Sequence, residues 1–344
     1  MTGPAHSSDR KPWKGPLKLA LKLALGLLIA GMVARHVAKV WDELGKSGHR
    51  LAFDLPWLGT SMLLYAMGLG VFGIAFWRIL GRGATPVGPW PALRAYVISH
   101  LGKYVPGKAL VVVLRAGLVA PYGARPATAA FSTLYETLLM MASGGLIAAM
   151  IFGLAGGGPV LELPVPGRGG GRLGFPLAIL GLLMGGPLFI LALPQVFPKA
   201  SAIFRAPFPG VGPDSLPRFS GRLLAECLAL SVVGWFFWGM SQVAAVRGIG
   251  VGNSAAPLGP SDWPTVVASV ALATLAGFVV AVFPGGLVVR EGVLMAALGP
   301  LLGEGEAVVA ALGLRLTWVA AELLASGIAV LARPALPPAE ACPA

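Results

Sequence analysis

Long apolar stretches dominate the chain, separated by short polar or Gly/Pro-rich connections. Seven of them can cross a bilayer as helix, which takes about 20 residues: 17–37, 55–77, 127–153, 176–197, 223–246, 263–283 and 307–331. Many are rich in Gly and Ala, which let membrane helices approach closely. Two further apolar segments, 92–120 and 284–301, are interrupted by Pro-Gly and carry charges. Proline stops a helix, and the freed backbone groups are tolerated at membrane depth only inside protein or beside water. Both segments are therefore expected to dip in and turn back at their glycines. The pattern predicts an all-α polytopic transmembrane helix bundle, with about seven full spans plus two re-entrant broken helices. Pro-Gly recurs at 106–107 and 284–285, which is compatible with two inverted halves.

Residues 1–16 are polar and basic and read as a disordered cytoplasmic tail, 17–332 as one transmembrane domain, and 333–344 as a flexible C-terminal tail. The connections 156–172 and 204–219 read as flexible loops.

Composition agrees with a membrane protein. The 344 residues are 56% hydrophobic and 12% charged, against about 25% charged in soluble domains. The net charge of +12 points to membrane surfaces and lipid headgroups and not to nucleic acid, because the basic residues lie mostly between apolar segments. Their distribution places the N-terminus in the cytoplasm and, with seven crossings, Arg333 outside. The first apolar stretch is too long for a signal peptide and no small-residue cleavage site follows it.

The candidate chemistry lies in the broken segments. GKYVPGK (102–108) and FPGGLVVREG (283–292) each place a turn beside basic residues. Pro106, Gly107, Pro284, Gly285 and Gly286 supply the turns. Helix N-termini after such turns expose free N–H groups and positive dipole ends. With Lys103, Tyr104, Lys108 and Arg290 they make a candidate cradle for a phosphate or carboxylate. Arg290 and Glu291 project about 100° apart on one helix, so each needs its own partner. Glu136, Arg315 and Glu322 lie within spans, where a charge marks a site with a partner. The expected pairs are Glu136–Arg290 and Glu291–Arg315, as a substrate site or as ion pairs that lock helix packing. His100 reads as a hydrogen-bonded structural residue and Glu226 as interfacial. No HExxH, cysteine framework, GxSxG, Walker loop or dinucleotide fingerprint is present. No metal, cofactor or catalytic residue is expected.

Arg94-Ala95-Tyr96, HLGKYVPGK at 100–108 and then Glu136 resemble the first block of the lysylphosphatidylglycerol synthase transmembrane family, also called flippase-like membrane proteins. FPGGLVVREGVL at 283–294, followed by Arg315, resembles its second block. Val288 stands where the family usually has Gly, and Thr137 where an Arg commonly follows the first-block glutamate. The resemblance runs from about residue 17 to 332. It implies a unit that moves a modified phospholipid between leaflets, while a separate soluble domain attaches the amino acid. Other relatives are linked to glycolipid or polyprenyl-lipid metabolism. The expectation is a stand-alone unit in a bacterial-type cytoplasmic membrane, without the aminoacyl-transferase domain. It would translocate a phospholipid or a polyprenyl- or glycolipid through a polar cavity. Two alternatives stay open: a membrane-embedded transferase on a lipid-linked substrate, and a non-catalytic partner of a separate glycosyl- or aminoacyl-transferase.

Overall fold

The computed structural model describes residues 53–83, 86–105, 109–156, 158–164, 172–205, 212, 216–250, 258–280 and 289–336, together with helical positions between 27 and 46. The expected span 17–37 is described only in part, and both outer tails, residues 1–16 and 337–344, lie outside. So do the turn residues Pro106, Gly107, Pro284, Gly285 and Gly286, and Lys108.

Helices account for nearly all the structure: α1 (Leu55–Leu80), α2 (Pro89–His100), α3 (Ala109–Val119), α4 (Pro126–Leu154), α5 (Leu177–Ala192), α6 (Phe197–Arg205), α7 (Gly221–Gly248), α8 (Trp263–Val279), α9 (Val289–Leu302) and α10 (Glu304–Leu331). A 3-10 turn, Leu101–Tyr104, follows α2. The expected class, an all-α polytopic bundle, is the one observed. Among the described residues four helices (α1, α4, α7 and α10) are long and apolar enough to cross a membrane, or five if α5 and α6, bent by 92°, form one span.

Local sequence sets several boundaries. Asp54 caps α1 by accepting from the Trp57 N–H at 3.3 Å, and Ser220 caps α7 by accepting from Leu223 N–H at 3.2 Å. Prolines occupy the first turns of α1, α2, α4 and α8, where a missing N–H costs nothing.

α1 and α7 form the spine and run antiparallel. Asp54 N–H donates to the Gly248 carbonyl at one end. In the middle, Ser61 Oγ donates to the Ser241 carbonyl at 2.7 Å and Ser241 Oγ to the Ser61 carbonyl at 2.9 Å. Beyond them Gly68 lies under Trp238 and Gly234 under the Phe72 ring. A second close crossing joins α4 to α5, where Gly145 meets Gly181 and Gly185. Burying apolar side chains gains little against lipid, so contact between small residues carries the association.

Around the spine the chain repeats one order: long helix, two short helices, long helix. α1–α2–α3–α4 is the first set and α7–α8–α9–α10 the second. α2 packs on α3, and α8 on α9, as helical hairpins. They open to opposite faces. Trp90 Nε1 donates to the Ala332 carbonyl and Tyr122 hydroxyl to the Pro334 carbonyl, so both ends of the first hairpin sit with the end of α10. Arg218 N–H donates to the Arg82 carbonyl on that same face. The second hairpin starts beside the far end of α7, where Arg247 Nη2 donates to the Leu258 carbonyl, and it ends at the start of α10. The two halves are thus inverted. The first face carries Arg78, Arg82, Arg125, Arg218, Arg222 and Arg333; it is called the basic face below. The opposite face carries Asp54, Asp262, Glu304 and Glu306, with Arg247 as a described cation there.

Two expectations are corrected. The segment 263–283 is not a full span. α8 has 17 residues, about 26 Å of helix against about 30 Å of hydrocarbon, and its partner α9 returns to the face it started from. α10 then ends on the basic face, which moves Arg333 there. The segment 156–172 is also not wholly irregular, because Val160–Pro164 (β1) pairs antiparallel with Arg172–Pro176 (β2).

The spine makes a packing prediction. A Cβ at Gly234 would lie 2.6 Å from Phe72, whereas one at Gly59, on the outside of α1, meets nothing. Gly234→Val is expected to destabilise by about 1–3 kcal/mol and Gly59→Val by less than about 0.5 kcal/mol. Thermal unfolding of the detergent-solubilised protein, followed by tryptophan fluorescence, separates the two.

Candidate functional site

The charges that hydropathy cannot explain converge in the middle of the bundle. At about 1.5 Å per residue, Glu136 lies about 15 Å along α4 from Pro126, Glu322 about 14 Å from the Leu331 end of α10, and Arg315 about 17 Å from its Glu304 end. Each is close to half-depth.

Three ion pairs hold the carboxylates. Arg115 on α3 donates from Nη1 to Glu136 Oε2 on α4 at 3.2 Å, with side chains 2% and 3% exposed. Tyr96 hydroxyl donates to Glu136 Oε1 at 2.9 Å, and Arg115 Nε donates to Ser99 Oγ at 3.0 Å. The Arg115 guanidinium also stacks 4.0 Å from the Tyr96 ring centroid. In the second half Arg315 on α10 pairs with Glu291 on α9. Each half therefore ties the return arm of its hairpin to the following long helix, with the signs exchanged.

The third pair crosses between halves. Glu322 on α10, 1% exposed, accepts from Lys103 Nζ at 2.5 Å. The Tyr104 hydroxyl donates to its other oxygen at 2.9 Å, and the Tyr65 hydroxyl on α1 donates to Oε1. His100 Nε2 lies 3.1 Å from Lys103 Nζ and 3.2 Å from the Tyr65 hydroxyl. Val37, from the N-terminal helical region, packs against Tyr104 and Val319. With three donors on one carboxylate, Glu322 has the hydrogen bonds that a charge in low dielectric requires.

Arg290 is different. It stands at the start of α9 with its guanidinium 4.3 Å from the Trp318 ring centroid. Among the described residues it forms no ion pair with a carboxylate; Glu322, whose field reaches it, is already bonded to Lys103. It faces a cavity of 580 Å³. Lys103, Arg115, Glu136 and His100 reach the same cavity, and most of the remaining lining is apolar, from α3, α4, α6 and α8. The ends of both hairpins contribute to it, and α6 closes it near the basic face through Phe197 and Ser201.

Of the residues singled out from sequence, Lys103, Glu136 and Arg290 line this cavity, and Tyr104, Glu291 and Arg315 sit in the pairs beside it. The pair Glu291–Arg315 forms as expected. The expected pair Glu136–Arg290 does not form: α3 packs beside α4 and brings Arg115 to Glu136 instead. Arg115 was not among the residues singled out from sequence, yet a charge in an apolar segment after Pro106-Gly107 is the signal that could have found it. Tyr65 carried no signal in the sequence, being one tyrosine in an apolar helix.

The buried pairs yield a stability prediction. Arg115→Met leaves the Glu136 carboxylate without its cation, which is expected to cost about 3–5 kcal/mol. Arg115→Met/Glu136→Gln is expected to recover at least half of the loss. Chemical unfolding in micelles measures both; equal losses in the single and double variants would refute the pairing.

No curated protein matches the chain. The family described as the lysylphosphatidylglycerol synthase TM region matches residues 19–325. The match includes both hairpins, the spine helices and every ionisable residue of the three interior pairs, with Arg290. The chain is an integral membrane protein and belongs to the lysylphosphatidylglycerol synthase TM region family.

Proposed function

We propose that the protein translocates a lipid with an anionic headgroup between leaflets, the headgroup crossing through the central cavity while the acyl chains stay in the bilayer. One observation carries this reading. Among the described residues three interior carboxylates each hold a cation of their own, and Arg290, in no such pair, faces the cavity. An uncompensated guanidinium at membrane depth is costly unless an anion meets it. A phosphodiester accepts two parallel N–H bonds from one guanidinium, the geometry for which arginine is preferred. The apolar lining suits the glycerol and first methylenes that follow a headgroup. At 580 Å³ the cavity has room for a headgroup and not for whole acyl chains. The substrate class is thus a membrane phospholipid or a polyprenyl- or glycolipid with a phosphate at the membrane interface, supplied by or passed to a separate transferase.

The inverted halves support the same reading. Hairpins that open to opposite faces and meet at one cavity suit a site that is reached alternately from either side. Under the positive-inside rule the basic face is cytoplasmic in a bacterial-type inner membrane, and the first span expected from the sequence would put the N-terminus on that side.

Purified protein in liposomes with fluorescent phosphatidylglycerol tests this through accessibility to a quencher outside. Wild type is expected to equilibrate the leaflets, and Arg290→Gln to slow the movement at least about tenfold, a loss of at least about 1.4 kcal/mol in transition-state stabilisation. Folded wild type that moves no anionic lipid contradicts the proposal, and lipid that changes mass in the same vesicles favours a transferase.

A further inference from the structure

The network around Glu322 holds a proton site that headgroup binding alone does not use. Tyr65 has one hydroxyl proton and gives it to Glu322, so its oxygen is left as an acceptor toward His100. An ammonium has only donors, so Lys103 Nζ offers a proton to the same His100 nitrogen. His100 Nε2 therefore faces one donor and one acceptor. As the neutral Nδ1–H tautomer, with a lone pair on Nε2, it accepts from Lys103; with a proton on Nε2, in the other neutral tautomer or as imidazolium, it donates to Tyr65. The imidazole edge and Lys103 both line the cavity, so water there reaches the site.

Charge decides which arrangement holds. Lys103 and Tyr104 face this site from the 3-10 turn, Tyr65 from α1, Glu322 and Arg315 from α10, and Arg290 from α9. Arg115 acts on it from α3, with its charge offset by Glu136. Tyr96 stacks on the ring from α2 at 6.2 Å and Trp238 meets it edge-on from α7 at 6.5 Å. Among the described residues of the three pairs and Arg290, cations exceed carboxylates by one, and an imidazolium would add a second. A lipid anion on Arg290 removes the excess, and a proton on His100 then restores the original balance.

We infer that the protein takes up its anionic lipid together with one proton on His100, so that a headgroup and a proton cross as a neutral pair and a proton gradient drives the movement. The proton comes from bulk solvent on one side by way of cavity water, forms an Nε2–H bond on the Nδ1–H tautomer of His100 to give the imidazolium, and returns to water on the other side; no electrons move. This rests on the reading of Arg290 as the headgroup site.

The test uses the full-length protein in weakly buffered detergent, titrated with phosphatidylglycerol, whose phosphodiester keeps its charge across about pH 5 to about pH 8, the window in which imidazole exchanges its proton. A pH indicator reads proton uptake while tryptophan quenching reads binding. Up to about one proton per lipid bound is expected, with affinity falling by up to about tenfold per pH unit on the alkaline side. His100→Gln is expected to take up less than one-fifth of the wild-type protons per lipid bound and to flatten the slope. Should that variant not fold, the wild-type slope decides alone. Binding with no proton uptake and no pH slope overturns the coupling and leaves the Arg290 site standing. Uptake that persists in folded His100→Gln overturns the assignment to His100. No phosphatidylglycerol binding overturns both readings.

Discussion

The structure depends on one constraint: a charge at membrane depth must meet a partner or an open, watery space. Glu136, Glu291 and Glu322 each meet it with a cation from a different element. These pairs fix where the short helices go. Arg115 ties α3 to α4, Glu291 ties α9 to α10, and Lys103 ties the turn after α2 to α10. The hairpins are short and apolar, with α3 and α8 each below the length of a span, and on packing alone they have little to prevent sliding. The ionic contacts set their depth and register. The same rule singles out Arg290, which among the described residues forms no ion pair with a carboxylate and faces the cavity.

The spine supplies the other half of the design. Small residues at Ser61, Gly68, Gly234 and Ser241 bring α1 and α7 close enough for reciprocal side-chain to backbone hydrogen bonds. Aromatic side chains then fill the layer beside the crossing: Trp238 stacks on Tyr65 at 5.1 Å, and Trp318 lies 4.4 Å from Tyr65. This layer carries Tyr65 to Glu322 and holds Trp318 under Arg290.

Much of this was legible in the sequence because hydropathy and proline placement report directly on membrane helices. The long helices α1, α4, α7 and α10 fall where the apolar runs place them, within a few residues. The role of α8 was not legible: an apolar run of about 20 residues reads the same whether it crosses or turns back. Only its packing on α9 tells them apart. Charges within apolar runs flagged Glu136, Arg290, Glu291, Arg315 and Glu322, since such positions are rare without a reason. Which charge meets which is a matter of three-dimensional arrangement, so Glu136–Arg115 was missed and Glu291–Arg315 found. His100 and Tyr65 look ordinary one at a time and matter only together.

The central claim is that Arg290 is the interior charge that an anionic lipid completes. Native mass spectrometry of the protein extracted gently from membranes measures this directly. The account predicts that wild type retains anionic phospholipid and that Arg290→Gln, equally folded, loses most of it while neutral-lipid retention stays the same. Equal retention of anionic lipid by the two proteins would contradict it.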